Sequence, residues 1–254
     1  MPILENIFTA ISQKLLPTSC IICNSYQELA LCTECNLQLT TNYLLNYECC
    51  KQCGTYLKAH EISQRRCQGC FNLPPHFDES HCLDRYDGPL QKALIQFKYQ
   101  KRLAMAHGLA LAWNQSSLGP MDCSGIRYLL PVPLSSEKLC ERGFNQSWEL
   151  AKQITCPSSV EKNPHILMRH HELEAQAGKN WRHRQSHVRD RFFINPQYAA
   201  SLKNEMVIVF DDVMTSGATL NEIARILKDN GVSRVINWVL LRTTQAVSSR
   251  AQYV

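Results

Sequence analysis

Two adjacent carboxylates, Asp211 and Asp212, are followed closely by Thr215-Ser216-Gly217-Ala218-Thr219, and these residue types in this order define a chemistry. A loop of small residues that enters a helix leaves backbone N–H groups unpaired and pointing outward, ready for a phosphate. Thr215, Ser216 and Thr219 add hydroxyl donors, Gly217 lets the backbone come close to an anion, and Ala218 completes the phosphate-binding set. The two carboxylates offer acceptors to a sugar diol, or hard oxygen ligands to Mg2+ carried in by a polyphosphate. Arg142, beside the flexible Gly143, is placed to reach an anion such as pyrophosphate. The bland alternative is an ordinary strand-to-helix turn with an acidic start.

Cysteines form the second constellation. Of the 13 in the chain, eight fall into four CxxC pairs: Cys20/Cys23, Cys32/Cys35, Cys50/Cys53 and Cys67/Cys70. A CxxC turn presents two thiolates to one tetrahedral ion, and two turns complete a closed structural site. The expectation is therefore two structural Zn2+ ions, with the first pair joined to the second and the third to the fourth, because each couple is then linked by a short segment. Crossed pairing and a single zinc with four idle thiols are the alternatives. Redox chemistry would need a CxxC at a helix start in a thioredoxin-like setting, which four successive pairs do not suggest. Cys49 has no partner at the right spacing, and Cys82, Cys123, Cys140 and Cys156 read as buried small hydrophobes.

Basic residues cluster twice. Lys98, Lys101 and Arg102 surround Tyr99, and the stretch from Gln176 to Phe192 holds Lys179, Arg182, Arg184, Arg189 and Arg191 against a single Asp190, with Trp181 and two histidines interleaved. Cations that track a backbone, with aromatics on which bases stack, suit single-stranded nucleic acid. The competing readings are solvated lysines at a helix end, and a lid whose arginines contact pyrophosphate. A formal net charge of +5 permits a nucleic-acid partner without demanding one.

These residues must be held by a framework, and the apolar pattern predicts an α/β one. Val207 to Phe210 reads as a strand buried on both faces of a parallel sheet, and Leu220, Ile223, Ala224 and Leu227 as the buried face of a helix that stops at Gly231. Further strands are expected over Ser80–Tyr86, Ile126–Val132 and Ser233–Arg242. Helices are expected through Leu90 and Phe97, over Leu103–Trp113 with His107 as a packing residue, and from an Asn145 cap through Trp148 to Ile154. A short helix is expected between the knuckles, within Asn36–Asn46. Leu73-Pro74-Pro75 stiffens the exit from the cysteine-rich part, so the expected division is a zinc-binding module over 1–74 and an α/β domain over 75–254. At 254 residues and 44% hydrophobic, the chain has enough apolar side chains for one sizeable core beside a smaller module. Met1–Ala10 contains Glu5 and no Lys or Arg, and no apolar stretch approaches a membrane span, so a cytoplasmic protein with reduced thiols and no membrane insertion is expected.

Val-Phe-Asp-Asp-Val-Met-Thr-Ser-Gly-Ala-Thr, from Val209 to Thr219, resembles the phosphoribosyl-pyrophosphate (PRPP) signature of type I phosphoribosyltransferases. That resemblance implies that Asp211 and Asp212 face the ribose hydroxyls and that Thr215 to Thr219 wrap the 5-phosphate. Nearly the whole chain is similar to the ComF family, competence-associated proteins in which a zinc module joins a phosphoribosyltransferase domain. The likeness rests on four CxxC knuckles, Pro131-Val132-Pro133, Arg142-Gly143-Phe144-Asn145-Gln146, Gln176, Arg184 and Phe192 in step, with His187 where the family usually has Asn, and the PRPP signature. It implies handling of incoming single-stranded DNA in natural transformation, alongside other competence or recombination proteins. An active transferase that joins phosphoribose from PRPP to a base and releases pyrophosphate is the alternative. A PRPP-sensing regulator would need a duplex-reading motif, and none is found.

Overall fold

The computed structural model describes residues 18–116, 122–170 and 191–244. Short strands β1 (Thr18–Ser19) and β2 (Tyr26–Gln27) pair antiparallel around the first CxxC turn, and helix α1 (Thr33–Asn42) begins at the second. The third pair lies in a turn closed by a bridge between Cys49 and Tyr56, and the fourth starts the short helix α2 (Gln68–Asn72). There follow β3 (Glu79–Arg85), α3 (Leu90–Tyr99), α4 (Ala104–Gln115), β4 (Ile126–Pro131), α5 (Ser136–Arg142), α6 (Gln146–Ala151) and β5 (Glu161–Lys162). The chain ends, among described residues, with β6 (Leu167–Arg169), β7 (Phe192–Ile194), β8 (Met206–Met214), α7 (Ala218–Asp229) and β9 (Arg234–Arg242). No helix among the described residues is long and apolar enough to cross a membrane.

Five strands make one parallel sheet in the order β3-β9-β8-β4-β5. Parallel strands need covered faces, and here each face has its own core. On one side Ile208, Phe210, Ile236 and Trp238 meet the apolar stripes of α3, α4 and α6, including Leu94, Phe97, Leu109, Trp113 and Leu150. On the other, Val207, Val209, Val235 and Val239 meet Leu220, Ile223, Ala224 and Leu227 of α7. The period of two along β8 thus divides its side chains between two layers of helix.

The connections decide where a ligand can sit. From β4 the chain moves outward to β5, whereas from β8 it moves the other way to β9. The neighbours β4 and β8 therefore flank the point where the strand order reverses, and open parallel sheets take their ligands beyond the carboxyl ends of such strands.

The cysteine-rich part packs onto this sheet. Cys20, Ile21, Leu31, Leu39 and Tyr43 belong to the same buried cluster as Leu90, Phe97 and Trp113, and the Tyr43 hydroxyl donates to the Ala112 carbonyl at 3.3 Å. A methyl group on Gly108 of α4 would lie 2.5 Å from Ile21 Cγ2, so the glycine sets how closely the first knuckle approaches.

Beside α7, β6 and β7 form an antiparallel ribbon whose Leu167, Phe192 and Ile194 pack into the second core. The basic stretch separates these two strands in sequence; Lys179, Trp181, Arg182, Arg184 and Arg189, with Gln176 and His187, lie outside the described residues. Arg191, at the foot of the ribbon, is partly buried, and its carbonyl accepts from His170 N at 2.9 Å.

Candidate functional site

The acidic pair lies further inside regular structure than its sequence suggests. The strand expected to end at Phe210 runs on to Met214, because β9 supplies a partner that far: Asp211 faces Val239, Val213 faces Leu241 and Met214 faces Arg242. On the other side β4 stops at Pro131, opposite Phe210. Asp211 and Asp212 thus project at the switch point, where one neighbouring strand continues and the other has ended.

Each carboxylate has its own surroundings. Asp212 is 5% exposed, and its Oδ2 lies 2.8 Å from Lys98 Nζ, at the last turn of α3. Asp211 Oδ1 accepts from Asp212 N at 2.9 Å and from the Ser147 hydroxyl of α6 at 3.3 Å. Burial, reinforced by the charge of Asp212 and opposed by that of Lys98, pushes Asp211 from 3.8 up to about 7. One carboxylate is therefore held by a cation while the other titrates near neutrality.

The Thr215-Ser216-Gly217 loop follows directly. Gly217 has φ of 81° in the left-handed region, and α7 starts from it, its first backbone bond running from Asn221 N to Gly217 O at 2.8 Å. Helical geometry leaves the amides before Asn221 without partners one turn back, and Ser216 Oγ accepts from Ala218 N at 3.3 Å. Thr215, Ser216, Ala218 and Thr219 are exposed. A helix of twelve residues thus has its positive end at this loop.

Arg142 ends α5, a helix not anticipated from the sequence, and Gly143 caps it with φ of 82°. Arg142 is 8% exposed, and its guanidinium lies 5.4 Å from the Tyr99 ring centre and leaves Nε without a hydrogen-bond partner among the described residues. Asn145 caps α6 as expected, accepting from Ser147 N at 3.0 Å, and its amide donates to the Val132 carbonyl at 3.1 Å. This ties the end of β4 to the helix that carries Ser147. Lys98, Tyr99, Arg142 and the acidic pair are thereby brought together, while Lys101 and Arg102 stand exposed beyond the end of α3, with Arg102 donating to Gln96 Oε1 at 3.1 Å.

The eight cysteines form two tetrads, Cys20/Cys23/Cys32/Cys35 and Cys50/Cys53/Cys67/Cys70, each with its sulfur atoms within 4.8 Å of one another. This is the consecutive pairing expected from the spacing. Both tetrads are built alike: one pair in a turn, the other at a helix start, where Cys32 Sγ accepts from Cys35 N at 3.3 Å and Cys67 Sγ from Cys70 N at 3.5 Å. Helix N-termini favour thiolates. Four sulfurs so close cannot all ionise without a cation: hydrogen bonding from Cys53 lowers Cys50, and hydrogen bonding to Cys50 raises Cys70.

Two smaller expectations are corrected. His107 is exposed on α4, with Nδ1 3.3 Å from Gln153 Oε1, because it sits opposite the stripe that α4 buries. Cys140 is exposed on α5, a helix too short to bury that face, and Cys156 is half-buried; Cys82 and Cys123 are buried.

Sequence reasoning missed three groups: Lys98 as partner of Asp212, Ser147 as partner of Asp211, and Arg242. The last is 7% exposed and donates to the carbonyls of Met214 at 3.0 Å, Thr243 at 2.7 Å and Thr215 through Nη1, and to that of Cys53 at 2.8 Å through Nε. Its one signal was an arginine closing the apolar run Trp238-Val239-Leu240-Leu241.

No protein-family model matches the chain. It is 27% identical to Competence protein F of Haemophilus influenzae over 236 residues, covering 88% of this chain and 96% of the relative. DNA utilization protein YhgH of Escherichia coli (strain K12) is 26% identical over 234 residues, covering 90% and 98%. Competence protein ComFC of Bacillus subtilis (strain 168) is 26% identical over 202 residues, covering 76% and 78%. Among solved structures, a glutamine PRPP amidotransferase from B. subtilis matches 57% of this chain and 30% of its own at 14% identity, with a TM-score of 0.37. That score carries no weight for the fold, which rests on the sheet order and register. Similarity along most of the chain, to relatives that are themselves matched along most of their length, supports a ComF family for this protein.

Proposed function

We propose that this protein handles incoming single-stranded DNA during natural transformation, using a crevice suited to ribose and phosphate and braced by two structural zinc sites. The observation that carries this reading is the convergence at one switch point of an acidic pair, a small-residue loop at a helix start and the basic end of α3. The loop amides suit a phosphate, and Asp211 and Asp212 suit the hydroxyls of a sugar. Tyr99, exposed next to Lys98, and Lys101 and Arg102, exposed just beyond the end of α3, offer an aromatic face and two cations that fit a nucleic-acid strand. The names competence protein and DNA utilization protein, borne by the relatives, fit this role.

Zinc fits the thiol tetrads. Four sulfurs about 2.3 Å from a tetrahedral ion would be about 3.8 Å apart. Cys23 and Cys32 sulfurs are 3.9 Å apart, and those of Cys53 and Cys67 3.6 Å. Reduced thiols in such sites suit the cytoplasm.

A second reading, transfer of phosphoribose from PRPP to a base, is favoured by the intact acidic pair beside the loop. Mg2+ bound with PRPP would screen the charge of departing pyrophosphate. In that reaction Asp211 and Asp212 orient the ribose, and Arg142 meets the pyrophosphate with its unpaired Nε.

Fluorescence anisotropy of labelled single-stranded DNA at two salt concentrations, with and without Mg2+-PRPP, tests the choice. Salt-sensitive binding that PRPP displaces is expected, since both ligands would use one crevice. Absence of DNA binding would reject DNA handling and leave the transferase, assayed by pyrophosphate release.

A further inference from the structure

One guanidinium joins the two halves of the molecule that carry chemistry. Arg242, at the end of β9, donates through Nη1 to the carbonyls of Met214 and Thr215, which begin the phosphate loop, and through Nε to the carbonyl of Cys53, in the second cysteine tetrad. These are the only partners, with the neighbouring Thr243 carbonyl, that the structure shows for it among the described residues. No carboxylate pairs with it there, so a nearly buried cation is held by carbonyl dipoles alone. A fork of fixed geometry serves this purpose in a way an ammonium would not.

Two further features describe the join. Knuckle and loop face each other across a cavity of about 310 Å³, lined on one side by Cys53, Cys67 and Cys70 and on the other by Ser216 and Gly217. Gly54, the residue after Cys53, has φ of 68° and approaches so closely that an added methyl would lie 2.6 Å from Cys82 Sγ of β3. The knuckle turn is thus seated against the sheet, and displacement of Cys53 moves the acceptor that fixes Arg242.

We propose that Arg242 is a positioning residue that couples the second tetrad to the phosphate loop. Metal in the tetrad fixes the Cys53 carbonyl, Arg242 then holds the loop in its anion-binding form, and an anion on the loop in turn secures the metal. Such coupling is reciprocal by thermodynamic necessity. The inference rests on the loop binding a sugar phosphate, as proposed above.

The test is zinc release from the full-length protein to a chromophoric chelator, with and without ribose 5-phosphate. Two phases are expected, assigned with Cys23→Ser, which weakens the first tetrad alone. Ribose 5-phosphate should slow the second-tetrad phase and leave the other unchanged, and in equilibrium competition with the chelator it should raise second-tetrad zinc affinity at least about fivefold, the low end of typical coupling. In Arg242→Gln that protection should vanish and ribose 5-phosphate should bind about tenfold more weakly by calorimetry, with partial recovery in Arg242→Lys. Should circular dichroism show the variants unfolded, ligand protection in the unaltered protein decides alone. Binding of ribose 5-phosphate without protection, or with unchanged affinity in folded Arg242→Gln, would overturn the coupling only. No binding to the unaltered protein would overturn both the coupling and the site beneath it.

Discussion

At the scale of single residues, the acidic pair is asymmetric, and the asymmetry has a pH consequence. Asp211 is raised to about 7 by burial and by Asp212, while Lys98 acts against the rise. The folded state therefore keeps its proton at pH values where the unfolded chain, with a carboxyl near 3.8, has lost it. Below about 4 both states are protonated and Asp211 contributes no pH dependence. From there to about 7 its contribution to stability declines, and above 7 it is level. Asp211→Asn should remove that declining limb from the pH dependence of unfolding by denaturant. The sign reverses for ligand binding, since only ionised Asp211 accepts two sugar hydroxyls: affinity for ribose 5-phosphate should rise through pH 7, beyond the change due to the phosphate's own ionisation near 6. Lys98→Met should move the midpoint upward, as the cation opposing the rise is lost. A calorimetric pH series with identical slopes in the unaltered protein and in Asp211→Asn would refute this assignment.

At the scale of elements, most of the framework was legible because its signals are local. The apolar stripe of α3 and the run of β9 were read within a residue or two, and Asn145 was found as a cap. The end of β8 was not, since a pair of aspartates normally closes a strand and only the length of β9 overrides that preference. Nor could pattern reveal Lys98 against Asp212, because the contact spans 114 positions (212 − 98) and depends on how α3 lies across the sheet. The turn between β8 and α7 was itself legible, because glycine is needed where it stands. Gly217 has φ of 81°, a conformation that costs an L-residue about 1–2 kcal/mol. A methyl there would meet only the mobile end of Met214, so backbone strain is the main effect. Gly217→Ala should lower stability by about 1 kcal/mol in denaturant titrations and weaken ribose 5-phosphate binding. Unchanged midpoint and affinity together would show that the turn is not the anion cradle.

At the scale of the whole molecule, the question is whether the cysteine-rich part unfolds by itself. Its own apolar side chains are few, and the buried ones do not form a separate centre. Leu31, Leu39 and Tyr43 close the same core as Leu94, Phe97 and Trp113, and Leu44 enters the core on the other face. Only the second tetrad, with Cys50, Cys67 and Cys70, forms a small cluster apart, and Arg242 and Cys82 fasten it to the sheet. Removing metal from a tetrad would leave four crowded thiols, and the loss would spread through these shared contacts into α3, α4 and β3. Metal analysis should therefore find about two zinc ions per chain. Stripping them with a chelator should shift one cooperative calorimetric transition to lower temperature for the entire protein. Two resolved transitions, with the upper one insensitive to chelator, would mean that the sheet and its helices keep their core without the knuckles. The packing of Ile21 on Gly108 argues against that outcome, since the backbone of α4 lies close enough there to exclude even a methyl group.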